Sequence, residues 1–195
     1  MKKNAITENY RKSWKFIKES QNFIYVAVLI FFTFFLIGFL LPMPDFLYQQ
    51  IVKFIEQLLQ QTEGMSYSQL TSFIFFNNLH SSFFAMILGV FFGIFPMFVM
   101  VMNGYLVGVV SGLSVNAAGV FSLWKLLPHG IFELPAVFIS AGLGLKIGSF
   151  IWQKKKIKAL KEYFLNSLRV FVFIVIPLLI IAAIIEGTLI FVGKS

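Results

Sequence analysis

The sequence predicts an all-α, polytopic transmembrane helix bundle of about five spanning helices. An amphipathic helix precedes the bundle and a short amphipathic helix sits at its outer surface. Three observations predict this. Apolar residues make up 58% of the chain and charged residues 12%, about half the charge of a soluble domain, and mean hydropathy is +0.86. Apolar runs long enough to cross a bilayer, about 20 residues each, recur five times along the 195 residues. Basic residues cluster rather than scatter. Six (Lys2, Lys3, Arg11, Lys12, Lys15, Lys18) precede the first run, and six (Lys154, Lys155, Lys156, Lys158, Lys161, Arg169) lie between the last two.

Residues 1–22 form a basic segment with Tyr10, Trp14 and Ile17 at helical spacing, which suits the cytoplasmic membrane surface. The rest, 23–195, reads as one bundle domain. The first span, 23–41, is longer than a signal-peptide core and lacks a small-residue cleavage site, so it is expected to be retained. Pro42 and Pro44 end it, because proline has no amide hydrogen to give. Residues 45–71 are the one sizeable polar loop. Within it Ile51, Phe54, Ile55, Leu58 and Leu59 form a helical stripe, broken at Glu63-Gly64.

The second span is 73–95 and the third 96–116, with Pro96 in the first turn of the third. The connection between them is so short and apolar that an inner turn and a kink within one long element both fit. The fourth span, 131–152, runs into a Lys-rich loop, and the fifth is 170–192. Five crossings that start inside put both basic clusters in the cytoplasm. The N-terminus is then inside and the C-terminus outside. Only Lys53, Lys125 and Lys194 are left outside, with Lys146 near the inner end of span four. Four or six spans would expose one cluster. Topology thus accounts for the net charge of +8 better than a nucleic-acid partner does, and the expected partner of the Lys154–Lys156 run is anionic lipid.

Small residues recur every four positions in two spans: Gly104, Gly108 and Gly112 in the third, and Ala136, Ser140, Gly144 and Gly148 in the fourth. Four-residue spacing stays on one helix face, and small side chains let backbones approach. Both spans are therefore expected in the bundle interior or at a homodimer interface.

The polar residues of the spans are the candidate functional positions. His129 and Glu133 are four residues apart and share a face that Ala136 and Ser140 continue. A charged side chain at the bilayer centre costs about 2.5–3.5 kcal/mol on insertion scales, so Glu133 should face protein or water. Asn77, Asn78 and His80 are read as opening span two from the outside. Glu186 lies near the outer end of span five, and Asn103 lies deeper in span three. Together they predict a polar pocket in the outer half of the bundle. It could hold a protonatable relay, or simply fix helix positions through hydrogen bonds. His80, His129, Glu133 and Glu186 could in principle ligate a metal, but their spacing matches no HExxH or zinc signature. There is no GxSxG element, no pair of membrane aspartates and no cysteine. The expectation is a non-enzyme with no metal and no cofactor.

The string LPHGIFELPA at 127–136, with Asn77-Asn78 in one span and Asn103-Gly104 in another, resembles the stage II sporulation protein M family of integral membrane proteins. The matching positions are Asn77, Asn78, Asn103, Gly104, Pro128, His129, Gly130, Glu133 and Pro135. The resemblance is specific across 77–150. It implies a membrane anchor of the kind that recruits peptidoglycan-degrading partners to the septal membrane of a spore-former, although similar proteins occur widely in bacteria and archaea that make no spores. The resemblance supplies no catalytic residue. Two functions are expected on this basis. One is a non-enzymatic scaffold for an envelope complex. The other is a small transporter, channel or lipid-translocating protein that uses the His-Glu pair as a protonatable site.

Overall fold

The computed structural model describes the backbone of residues 5–42 and 44–194, and the side chains of those residues except 124–132 and 194. Every regular element among them is helical. The order is α1 (Ala5–Glu19), α2 (Gln21–Leu40), α3 (Asp45–Thr62), α4 (Tyr67–Ile87), α5 (Ile94–Ala118), α6 (Leu127–Gly148), α7 (Lys156–Val170) and α8 (Ile176–Lys194). Five helices are long and apolar enough to span a membrane: α2, α4, α5, α6, and α7 joined through to α8.

Glycine contacts fix how these helices run. A Cβ built on Gly104 would meet the Phe31 carbonyl oxygen, and one on Gly108 the Phe35 carbonyl. One on Gly112 would lie 3.3 Å from the Phe39 oxygen, and one on Gly38 would lie 3.1 Å from Val109 N. The two numberings rise together, so α2 and α5 are parallel and nearly backbone to backbone. Gly142 packs on Ile24 while Phe138 meets Phe31, with ring centroids 5.1 Å apart, so α6 is antiparallel to α2. Gly144 packs against the backbone of Ala85, and Gly148 against Gly93, so α6 is parallel to α4. Phe171 meets Phe83, and Tyr67 meets Phe191, so α8 is antiparallel to α4. Direction therefore alternates across all five crossings, as five spans require.

The core sits around α6. In its most apolar stretch 67% of residues are buried, against 17% for α2. One side of α6 (Val137, Ala141, Leu145) packs with Ala27, Phe31 and Met100. Another (Ala136, Leu143, Ile147) packs with Met86, Phe171, Val175 and Leu179. The small-residue ridges are thus real packing faces, but each meets a different neighbour. The glycines of span three lie on span one, not on span four. Span three itself is only 33% buried, because its other side faces out of the bundle.

The connection between α4 and α5 is a turn. Leu88–Val90 tightens into a 3-10 turn, then Phe92 (φ 57°) and Gly93 (φ 75°) adopt left-handed backbone. Glycine does this without a Cβ penalty; for Phe92 it costs about 1–2 kcal/mol. The turn also packs closely on α6: a Cβ built on Gly148 would sit 2.7 Å from the Gly93 Cα.

One element differs from the sequence expectation, and the N-terminal helix has a packing partner that the sequence did not identify. Residues 153–169, read as a loop, contain the helix α7, which continues through a π turn at Phe171–Val175 into α8. The stretch is built from strong helix formers with no glycine or proline until Pro177. Pro177 withholds an amide and crowds the carbonyl four residues back, that of Phe173; the widened turn accommodates this. In α1 the buried face is Ser13 and Phe16, with Tyr10 edge-on to Phe173, while Trp14 is 56% exposed. This amphipathic helix, which forms as expected, packs on α7. The amphipathic α3 forms as expected and buries no residue. After it, Ser66 and Gln69 close a reciprocal capping box that starts α4.

The glycine contacts make a graded prediction. Gly104→Ala and Gly108→Ala drive a methyl into a carbonyl and should each cost about 1–3 kcal/mol, whereas Gly112→Ala, facing a looser contact, should cost markedly less. Thermal unfolding of the purified variants in detergent reads the order directly.

Candidate functional site

The candidate site grows out of the small-residue face of α6. Glu133, Ala136, Ser140, Gly144 and Gly148 fall on that face at three- and four-residue steps. Because Gly144 lies on Ala85 and the two helices run parallel, stepping back eleven residues on each sets Glu133 level with Ile74. Between these levels α4 turns Asn78 and Ser82 inward, with 9% and 0% exposure. On α6, Ser140 is fully buried and Glu133 is 8% exposed. Toward the far end, Thr71 of α4 lies against Gly187 of α8, next to Glu186. The result is a polar seam between α4, α6 and α8.

The seam is short of hydrogen-bond partners. The hydroxyls of Thr71, Ser82 and Ser140 are buried and make no hydrogen bond among the described residues. A buried hydroxyl without a partner costs about 1–3 kcal/mol. Their small size explains their presence, since a larger residue at 82 or 140 would separate α4 from α6. Pro135 lies inside α6 and withholds one amide from the turn that carries Glu133.

The expected polar cluster is only partly assembled. Asn78 and Glu133 lie in the seam, and Glu186 is half-buried at its end. Asn77 and His80 are exposed; at about 100° per residue they stand roughly 100° and 200° around α4 from Asn78, so neither shares its inward face. Asn103 donates its Nδ2 to the Val99 carbonyl at 2.9 Å, within its own helix. His129 belongs to the first turn of α6, but its side chain lies outside the described residues. The depth also shifts. Because α4 begins at Tyr67 rather than 73, the span runs Tyr67–Val90, and Asn77, Asn78 and His80 fall near its middle, not at its outer opening. A ligand set containing both His80 and Glu133 is therefore not gathered. Among the described residues no three His, Asp or Glu side chains converge as a metal site.

Thr71, Ser82, Gly142 and Gly187 were not singled out from sequence. The recurrence Thr71, Asn78, Ser82, Ala85 at three- to seven-residue steps is the signal that marks the inward face of α4. Ser140→Ala, which deletes a partnerless hydroxyl, should leave stability unchanged or raise it by up to about 1 kcal/mol, while Ser140→Leu should abolish accumulation of folded protein; size-exclusion profiles and melting temperature check both.

Comparison with known proteins gives the lineage. A family model described as stage II sporulation protein M matches residues 27–189, which takes in all five spans almost entirely. An uncharacterised protein of Methanocaldococcus jannaschii is 30% identical over 175 residues, covering 87% of this chain and 78% of the relative. No solved structure matches. The chain, a multi-pass membrane protein by its five apolar helices, belongs to the stage II sporulation protein M family.

Proposed function

We propose that this protein is a non-enzymatic membrane scaffold that anchors an envelope-associated complex. The observation that carries the reading is α3. It is an 18-residue amphipathic helix that buries no residue, tethered at one end of a tightly packed bundle between the prolines before it and the capping box after it. Phe46, Phe54 and Leu59 are exposed along it. An amphipathic helix presented this way is suited to a bilayer surface or a partner groove. Backbone-to-backbone packing of α2 on α5 and of α6 on α4 supports a rigid support better than a moving carrier.

The orientation is part of the proposal. The Gly93–Gly148 contact places the α4–α5 turn and the end of α6 at one end of the bundle. The start of α2 and the helix α7 share that end, since Lys146 lies over the rings of Phe23 and Tyr163 at 5.2 and 4.8 Å. The basic residues of α1, the 154–161 cluster and Lys146 thus sit together, and α3 with Asp45, Glu56 and Glu63 sits at the other end. By the positive-inside rule the basic end is cytoplasmic and α3 is outside.

A second reading, a protonatable transport site, is favoured by the burial of Glu133 in a seam with Asn78, Ser82 and Ser140. One substitution separates the two. Glu133→Gln keeps shape and hydrogen bonding but cannot ionise. The scaffold predicts wild-type accumulation and partner recovery for Gln and loss for Glu133→Leu. A transport role predicts a folded but inactive Gln variant in proteoliposome flux.

Two experiments test the scaffold itself. A single cysteine at Gln57 should react with a membrane-impermeant thiol reagent from outside intact cells, and one at Lys158 only after lysis. Purification from native membranes in mild detergent should bring a second envelope protein in near-equal amount. Recovery of this chain with no such protein, under several detergents, contradicts the reading.

A further inference from the structure

One face of a spanning helix has no place in the bundle and does not suit lipid. The inward side of α4 carries Thr71, Ile74, Asn78, Ser82 and Ala85. Its outward side exposes Ser72, Phe76, Asn77, His80 and Phe84, with Phe76 and Phe84 each about half exposed (53% and 51%). Asn77 and His80 lie near the middle of the 24-residue span. Hydrocarbon offers no hydrogen bond to an amide or an imidazole there. The exposed faces of the other outer spans look different: α2 exposes Tyr25, Leu29 and Leu36, and α8 exposes Ile180, Ile181 and Ile184. A shallow, largely open depression lies on this face, lined by Ser72, Phe76, Asn77 and His80 among others.

We propose that this face is the contact between two copies of the chain, packed α4 to α4 about a two-fold axis along the membrane normal. The first argument is chemical. Serine, asparagine and neutral histidine each carry both a donor and an acceptor, so each can pair with its own counterpart. The face holds no Lys, Arg, Asp or Glu, the residues that need an unlike partner. A face composed in this way is complementary to itself, which is what an isologous contact requires. The second argument is geometric. Copies inserted in the same sense can be related only by an axis along the normal, so the two α4 helices run parallel and residues near the axis meet themselves. Phe73, Phe76, His80 and Phe84 recur at steps of three, four and four, the eleven-residue pattern that keeps one stripe of a helix facing its partner in a slightly right-handed pair. The rings of Phe76 and His80 stand 6.4 Å apart, tilted by 33°, and present one aromatic surface with a polar edge. The third argument is elimination. The glycine ridges, the other route to close helix association, are already filled from within the chain by Phe31, Phe35, Ala85 and Gly93. Helix pairs in membranes do associate through Asn, Gln and His side chains.

The chain has no cysteine, so single cysteines report without background. Phe76→Cys, His80→Cys and Phe84→Cys, each in native membranes under mild oxidation, should convert most of the chain to a disulfide-linked dimer. Leu29→Cys, on the exposed face of α2, should leave it monomeric. As a check that needs no cysteine, native mass spectrometry of the wild type should show two copies, and the double variant Asn77→Leu, His80→Leu should shift it to one. Cross-linking at Phe76 and His80 no greater than at Leu29, a single copy for the wild type, or a cross-link to a different protein in place of the dimer would each overturn the proposal. A scaffold could work with one copy or two, so the failure of this contact would leave the anchor reading standing.

Discussion

Everything in this bundle depends on how closely α6 can approach its neighbours. In water, apolar burial would pull the helices together; between lipid tails that drive is absent, and association rests on van der Waals contact and polar bonds. Contact at backbone distance needs residues without bulk. Gly144 against Ala85, Gly148 against Gly93 and Gly142 against Ile24 supply it on α6. Ala136, Ser140 and Ala141, all fully buried, continue it. Remove that proximity and α4 parts from α6, the α4–α5 turn loses the surface that holds its left-handed backbone, and α2 loses one of the two helices it leans on.

The same closeness sets the character of the polar seam. Serine is tolerated at 82 and 140 because it is nearly as small as alanine, and threonine at 71 because Gly187 opposite it has no side chain; in consequence their hydroxyls are shut away with few neighbours able to bond them. Glu133 enters this environment one turn or so from the end of the packed stretch. The seam is thus a by-product of tight packing as much as a designed pocket, which is why a structural role for Glu133 fits as comfortably as a protonatable one. Polar character of another kind appears on the outside of α4, where no packing demand explains it. That contrast, small polar residues inside and larger amide and imidazole groups outside, separates what holds one chain together from what would join two.

Much of the architecture was legible from the order of residues. Length and hydropathy marked five spans. Pro42 and Pro44 marked the end of the first, and four-residue glycine spacing marked two packing faces. What the pattern could not supply was direction in space. The ridge Gly104, Gly108, Gly112 reads the same whether it meets span one or span four. The helix α7 was hidden because a lysine-rich stretch flanking a span satisfies the topology rule as a loop and as a helix alike; its apolar positions, Leu160, Tyr163, Phe164 and Leu168, carry the 3.6-residue signal that distinguishes the two. Asn77 and Asn78 were grouped as one polar element, yet adjacent helical residues point about 100° apart, and here one joins the seam while the other leaves the bundle. His80 went astray for the same reason, and its depth shifted because Ser66 and Gln69 start the helix six residues earlier than hydropathy alone suggests.

The central claim is that α6 stands inside the bundle with α2 antiparallel against it. A short bifunctional thiol cross-linker applied to the paired variant Phe31→Cys, Phe138→Cys in membranes measures it most directly, since those rings are in contact and the chain has no other thiol. The account predicts rapid intrachain cross-linking for this pair and none for Phe31→Cys with Ile184→Cys, whose second site is exposed on α8. Cross-linking of the second pair without the first would contradict it.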